Sequence, residues 1–220
     1  MLYFCIYDYN LLGFKGGEIM KLYEFEDEQP KKILVDGGII AFPTETVFGL
    51  GVRFDRKDSF DRLIKVKERP STKPFTMMVG DVSWIYKYSF VDERQKRVID
   101  SLLPGELTVI LKKRPEIPPY VTLGGDTLGF RVPGYDRLRK FLLDVNVPLL
   151  VPSANKSGFP PAKSVEEIEN IFGDEIDGVI NGTTGDSIPS TVVLLTGEEP
   201  VVLRQGKITI EQINKAFYNK

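Results

Sequence analysis

The chain has 220 residues, with 29 basic and 31 acidic side chains, no histidine and one cysteine, Cys5. These counts exclude catalytic units that need histidine, zinc sites built from cysteine and histidine, and a disulfide within the chain. Any chemistry must therefore use carboxylates, lysine, arginine, hydroxyls, backbone N–H groups or a metal that arrives with the substrate. The composition is that of a globular protein, the length fits one large domain, and no apolar run approaches the roughly 20 residues of a membrane span.

The first nineteen residues differ from the rest of the chain. They are aromatic without a clear period, and Asp8 interrupts the apolar stretch that a secretory signal needs. Residues 15–18 can be encoded by a purine-rich run resembling a bacterial ribosome-binding site upstream of the Met20 codon. We therefore expect translation to start at Met20, with residues 1–19 outside a domain of residues 20–220. The alternative is a genuine N-terminal strand, and the intact mass of protein made from the native gene distinguishes the two.

From residue 20 onward, helical and strand patterns alternate. Apolar spacing predicts helices over residues 28–36, 59–67, 92–103 and 137–144. Two capping-box patterns, Ser164-x-x-Glu167 and Thr209-x-x-Gln212, predict the starts of two more. Strands are predicted over residues 39–42, 75–79, 107–111, 127–132, 149–151, 178–180, 191–195 and 201–203, with a hairpin turn at 197–200. No linker or repeat divides these elements, so we predict a single α/β domain around a largely buried, mixed β-sheet with flanking helices.

Residues 43–51, with the sequence PTETVFGLG, directly follow a predicted strand. Thr44 can hold a small polar ligand there, and Gly49 and Gly51 would let a ligand approach the backbone closely. The alternative is a plain turn in which Thr44 satisfies its own backbone.

Residues 65–74, with the sequence KVKERPSTKP, place four cations between a predicted helix and a predicted strand. Lysine supplies a point charge, and arginine offers a planar fork that grips phosphate oxygens in pairs. A triphosphate or a nucleic-acid backbone would suit this loop, and the alternative is a solvated cationic surface. Ser71 and Thr72 add neutral hydrogen-bond donors to this loop.

Arg131 lies in an otherwise apolar predicted strand. Period-two alternation places it on the same face as Thr127 and Gly129. An arginine in such a setting needs an anionic partner. That partner is either a structural carboxylate or the carboxylate of a substrate, and the sequence does not choose between them.

Two further segments carry small polar side chains next to predicted strands. Residues 151–158, VPSANKSG, follow a buried strand, and residues 188–192, IPSTV, contain Ser190 fourteen positions before Arg204. Such side chains at the carboxyl end of a strand are typical of a crevice site in α/β sheets. Neither a Walker A pattern nor a dinucleotide-binding glycine pattern after a strand is present.

Taken in order, these segments resemble the YrdC/Sua5 family, the threonylcarbamoyl-AMP synthases. The resemblance is carried by residues 43–51, 67–74, 103–108, 131–133, 152–158, 189–192 and 203–206. It implies a twisted α/β sheet domain with a large, positively lined concave cavity. It also implies a cytoplasmic enzyme that converts L-threonine, bicarbonate or CO2, and ATP into threonylcarbamoyl-AMP and pyrophosphate. The product would then be used by a partner threonylcarbamoyl transferase complex to modify adenosine 37 of tRNA.

The resemblance also implies roles for individual residues. Lys67 and Arg69 would be the catalytic cations. The substrate threonine would be bound by Thr44, Thr76, Thr127, Arg131 and Ser190. The nucleotide would be held by Lys67, Arg69, Ser71, Lys73, Ser153, Asn155 and Arg204. Mg2+ would enter with the ATP phosphates, without a dedicated protein cage.

Some positions depart from the family pattern, and one rival function remains. Phe48 stands where tyrosine is usual, Leu194 where an acidic residue is common, and Glu106 places a carboxylate near the presumed anion site. The rival is a module that binds tRNA or double-stranded RNA in the same cavity through backbone contacts. The net charge of −2 argues against nucleic acid as the main ligand, because such domains are usually basic.

Overall fold

The computed structural model describes residues 20–68, 74–185 and 188–219. The expectation that residues 1–19 are an extension of the native domain lies outside these residues. So do Arg69, Ser71 and Lys73 of the predicted phosphate-binding loop, whose roles stay predictions.

The described residues form short helices and strands that alternate along the chain. The helices are α1 Glu28–Val35, α2 Lys57–Lys67, α3 Val82–Tyr88, α4 Glu93–Leu102, α5 Asp136–Val145, α6 Val165–Phe172 and α7 Ile210–Tyr218. The strands are β1 Leu22–Tyr23, β2 Ile40–Phe42, β3 Gly49–Arg53, β4 Met77–Met78, β5 Ser89–Phe90, β6 Leu107–Lys113, β7 Thr127–Arg131, β8 Leu149–Leu150, β9 Gly178–Ile180, β10 Thr191–Leu194 and β11 Val201–Arg204. Within the described residues, each helix is too short or too polar to cross a membrane.

The strands form one mixed sheet, as predicted. Their order is β1-β9-β2-β3-β8-β4-β7-β6-β10-β11, with β5 paired to β6. The pairs β4–β7 and β6–β10 are parallel, whereas β6–β7 and the hairpin β10–β11 are antiparallel. This order places β4 between β7 and β8, and β6 between β7 and β10, so segments that are far apart in the sequence become neighbours in the sheet.

Local signals account for most element boundaries. Asp92 and Thr209 complete the capping boxes of α4 and α7, because each accepts a hydrogen bond from the third backbone N–H of its helix. Ser164 caps α6 in the same way, but the carboxylate of Glu167 reaches the backbone N–H of Lys163 instead. The sequence patterns missed β1, β3, α3 and β5.

Two glycines of the 43–51 segment serve the packing of the sheet. They belong to β3, between β2 and β8. A Cβ atom on Gly49 would lie 2.5 Å from Val151 Cγ1, and one on Gly51 would lie 2.5 Å from Phe42 Cε1. The expectation that these glycines admit a ligand is wrong, because neighbouring side chains occupy the space that the missing Cβ atoms leave.

Helices cover both faces of the sheet. Ile40 and Phe42 of β2 belong to the smaller hydrophobic cluster, together with Leu34 of α1 and Phe141 of α5. Ala41 points to the larger cluster, which includes side chains of α2, α4, α6 and α7. The alternation along β2 is the period of two expected for a strand with both faces buried.

Candidate active site

A cavity of about 320 Å3 lies where the ends of several strands meet. Polar side chains reach it from β6, from the end of β7, from the loop after β8, from the segment just before β10 and from the end of β11. No aspartate or glutamate is among the described residues that line it, whereas two arginines are. The polar lining residues are Thr46, Thr76, Thr108, Arg131, Ser153, Asn155, Ser190 and Arg204. The charge on the described part of the wall is therefore positive.

Six of the twelve site residues that were predicted from the sequence line this cavity. They are Thr76, Arg131, Ser153, Asn155, Ser190 and Arg204. A larger cavity of about 520 Å3 lies elsewhere, between the start of β1 and residues 173–177. There Arg62 is held by the carboxylate of Asp177 at 2.5 Å and by the carbonyl of Glu175. None of the predicted site residues that the structure describes lines that second cavity, so we place the candidate site in the smaller one.

Arg131 pairs with a carboxylate of the protein itself. Its Nη2 donates to Glu45 Oε1 at 2.8 Å and to Thr46 Oγ1 at 3.0 Å, and the N–H of Gly134 donates to the same Glu45 oxygen. A carboxylate of the protein is therefore one partner of Arg131, and the contact with a substrate carboxylate stays a prediction. The Nε of Arg131 is nevertheless buried without a hydrogen-bond partner among the described residues. Arg131 thus retains a donor that a second acceptor would satisfy.

Arg204 faces the same cavity and is held by Ser190. Its Nε donates to the Ser190 carbonyl at 3.0 Å and its Nη2 to Ser190 Oγ at 3.2 Å, while Ser190 Oγ lies 2.9 Å from Thr108 Oγ1. Burial, and secondly repulsion by Arg131, lower the pKa of Arg204 below its usual value. Two guanidinium groups close enough to repel each other favour a bound anion, because the anion would relieve that repulsion.

Two of the predicted threonines do not line the cavity. The Oγ1 of Thr44 donates to the Val47 carbonyl and accepts from the N–H groups of Thr46 and Val47, so its hydroxyl stabilises its own turn. Thr46 lines the cavity instead. Thr127 lies at the other end of β7, four residues from Arg131, which is about 13 Å along an extended strand. The predicted contact of Thr127 with the substrate stays a prediction.

Lys67 holds the loop that follows β8. Its ammonium group is buried and donates to the carbonyls of Ser153 at 2.5 Å and Asn155 at 2.6 Å, and to Asn155 Oδ1 at 2.9 Å. Asn155 in turn donates through Nδ2 to the carbonyls of Lys156 and Phe159. The observed contacts make Lys67 a positioning residue for this loop, and its predicted contact with phosphate stays a prediction.

Sequence patterns did not single out two contributors to the site, Glu45 and Thr46. Both lie in the 43–51 segment, directly after Thr44. The sequence feature that could have identified them is the carboxylate and the second hydroxyl beside that predicted site residue. Glu106, which departs from the family pattern, is not among the lining residues. Its Oε1 accepts from Lys207 Nζ at 2.9 Å, so this carboxylate is paired away from the cavity.

Gly206 allows the hairpin end that carries Arg204 to lie against β10. A Cβ atom there would lie 2.4 Å from the Pro189 carbonyl oxygen and 2.5 Å from Thr191 N. We expect Gly206→Ala to lower the free energy of unfolding by about 1–3 kcal/mol and to weaken anion binding, because the backbone must shift away from Ser190. Thermal unfolding and calorimetric titration with ATP measure both effects.

The matched control is Gly197→Ala in the turn of the same hairpin. A Cβ atom on Gly197 would meet nothing closer than 3.7 Å. We expect that variant to retain the stability and binding of the unaltered protein. Equal behaviour of the two variants would contradict the packing role assigned to Gly206.

Comparison with known proteins identifies the family of this chain. The family model of the Sua5/YciO/YrdC domain, described as "Telomere recombination", matches residues 32–206. The chain belongs to this family. A Methanocaldococcus jannaschii relative, provisionally named a threonylcarbamoyl-AMP synthase, is 33% identical over 210 residues, which are 92% of this chain and 99% of the relative. The threonylcarbamoyl-AMP synthase of Bacillus subtilis is 34% identical over 188 residues, 84% of this chain.

A solved structure of the same family is also similar. Pyrococcus abyssi Sua5 complexed with L-threonine superposes with a TM-score of 0.81 at 30% identity, covering 86% of this chain. The chain spans 56% of that Sua5 chain and 54% of the B. subtilis synthase, so it corresponds to about half the length of these two relatives. The Sua5/YciO/YrdC fold predicted from the sequence is therefore confirmed.

Proposed function

We propose that this protein is an L-threonylcarbamoyladenylate synthase, which converts L-threonine, bicarbonate or CO2, and ATP into threonylcarbamoyl-AMP and pyrophosphate. The observation that supports this most directly is the cavity in which Arg131 and Arg204 meet without a carboxylate among the described lining residues. The names of the M. jannaschii and B. subtilis relatives and the L-threonine complex of P. abyssi Sua5 support the same reaction.

The threonine subsite would lie beside Arg131. The free Nε of Arg131 would donate to the carboxylate of the amino acid, while Glu45 keeps the guanidinium in position. The hydroxyls of Thr46, Thr76 and Ser190 line the same cavity and would bind the polar groups of the substrate. A buried charged donor that lacks a partner among the described residues gains most from a charged acceptor.

The nucleotide would occupy the part of the cavity formed by Ser153, Asn155 and Arg204. Arg204 would neutralise phosphate charge, and the loop fixed by Lys67 would position the nucleoside. The described residues contain no group of three or more cysteine, aspartate and glutamate side chains placed to hold a metal. Mg2+ would arrive with ATP, coordinated by phosphate oxygens and water, as is usual for nucleotide-bound magnesium. Arg69, Ser71 and Lys73 remain predicted phosphate ligands.

The proposed chemistry needs charge neutralisation more than a protein base. The threonine amine adds to CO2, forming an N–C bond and releasing a proton to water, and the resulting carbamate is already an anionic nucleophile. A carbamate oxygen then attacks the α-phosphorus as the bond to pyrophosphate breaks. Arginine side chains that hold both anions in line would lower the barrier by positioning and electrostatic stabilisation. The absence of histidine is compatible with this mechanism.

Release of pyrophosphate from ATP tests the proposal. We expect release that requires both L-threonine and bicarbonate, with threonylcarbamoyl-AMP as the second product detected by mass spectrometry. The product would be consumed by a transferase that modifies adenosine 37 of tRNA. Binding of tRNA or double-stranded RNA without threonine-dependent release would contradict the synthase and support the RNA-binding module.

A further inference from the structure

The cavity wall carries a large aromatic side chain that is mostly open to solvent. Phe159 lines the cavity and is 69% exposed, the largest fraction among the large hydrophobic side chains of the described residues. Leaving an aromatic ring in water forgoes the free energy that burial of its apolar surface would provide. An exposed ring in the wall of a binding cavity is therefore available to a ligand.

The backbone of Phe159 is fixed on both sides. Its N–H donates to the Lys156 carbonyl at 3.1 Å, and its carbonyl accepts from Asn155 Nδ2 at 2.8 Å. Asn155 is itself held by the buried ammonium of Lys67. Pro160 follows directly and restricts the backbone conformation of Phe159. The loop thus presents the ring from a preorganised backbone, which lowers the entropic cost of binding.

The two kinds of lining match the two ends of a nucleotide. Arg131 and Arg204 provide a cationic region, whereas Phe159, Pro161 and Pro189 provide flat apolar surfaces. A nucleoside triphosphate combines an anionic chain with a planar aromatic base. Aromatic side chains bind bases through their π-faces, independently of the hydrogen-bonding edges of the base.

We propose that Phe159 stacks on the nucleobase of the bound nucleotide and forms the base-binding subsite of this cavity. This subsite rests on the proposed function, because it takes the cavity as the nucleotide site. In this proposal, Phe159 contributes to nucleotide affinity through the base, separately from the arginines, which bind the phosphates.

Replacing Phe159 and comparing ligands with and without a base tests this subsite. We expect Phe159→Ala to weaken ATP binding by about 5- to 150-fold, the effect of losing one stacked base. Binding of inorganic tripolyphosphate, which has no base, and the KM for L-threonine should stay unchanged. Phe159→Trp should retain ATP affinity. The control is Phe90→Ala, which removes a 45% exposed ring outside this cavity and should leave ATP affinity unchanged.

Two results would overturn the stacking proposal alone. One is unaltered ATP affinity in Phe159→Ala, and the other is an equal loss of ATP and tripolyphosphate binding, which would show that the ring only supports the loop. Failure of the unaltered protein to bind ATP would overturn the proposed function together with this subsite. Titration of the unaltered protein therefore separates the two failures.

Discussion

Replacing Arg131 with methionine should abolish threonine-dependent pyrophosphate release and also destabilise the fold. The side chains of Arg131 and Glu45 are only 8% and 17% exposed, so the variant leaves the Glu45 carboxylate nearly buried without its cation. Breaking a buried ion pair from one side costs about 3–5 kcal/mol. Losing the donor that orients the substrate carboxylate misplaces the reacting carbamate and costs on the order of 100-fold in turnover. Thermal unfolding and the pyrophosphate assay measure the two effects separately.

The double variant Glu45→Gln with Arg131→Met separates the two roles of Arg131. Neutralising both partners removes the unpaired charge, so most of the lost stability should return while activity stays lost. Arg137→Met is the matched control, because Arg137 is an exposed arginine whose ion pairs with Glu24 and Glu26 lie at the surface. Restored turnover in the double variant would show that Arg131 has only a structural role.

Lys67→Met should destabilise the loop after β8 and weaken ATP binding. Methionine keeps most of the apolar stem but removes the donor to three oxygens of Ser153 and Asn155. Unsatisfied buried acceptors of this kind cost about 2–4 kcal/mol in total. We expect ATP affinity to fall by about 10-fold or more, because the loop that carries Ser153, Asn155 and Phe159 loses its anchor. Calorimetric titration and thermal unfolding measure these changes.

Lys65→Met provides the control for Lys67. Lys65 lies two residues earlier in α2 and is exposed, so its replacement should change neither stability nor affinity appreciably. Loss of turnover in Lys67→Met at an unchanged melting temperature would contradict the positioning role. That result would favour the direct contact with phosphate that the family resemblance implies.

Much of the site could be located from sequence because its residues lie at or next to strand ends. Ser153, Asn155, Ser190 and Arg204 stand beside predicted strands and do line the cavity. Thr44 and Thr127 are not among the described lining residues, and their predicted contacts with the substrate stay predictions. The glycines of β3 serve packing, because neighbouring side chains occupy the space that a Cβ atom would need.

The sequence by itself determined the alternation of helices and strands, the capped helix starts and the membership of the family. These features depend on residues within a few positions of one another or on short ordered motifs, so local patterns contain them. Only the tertiary structure decided that Arg131 pairs with Glu45, 86 residues away, and that Lys67 holds the Ser153 carbonyl at the same separation. Such pairs depend on which strands become neighbours in the sheet, and long-range packing of the whole domain sets that order.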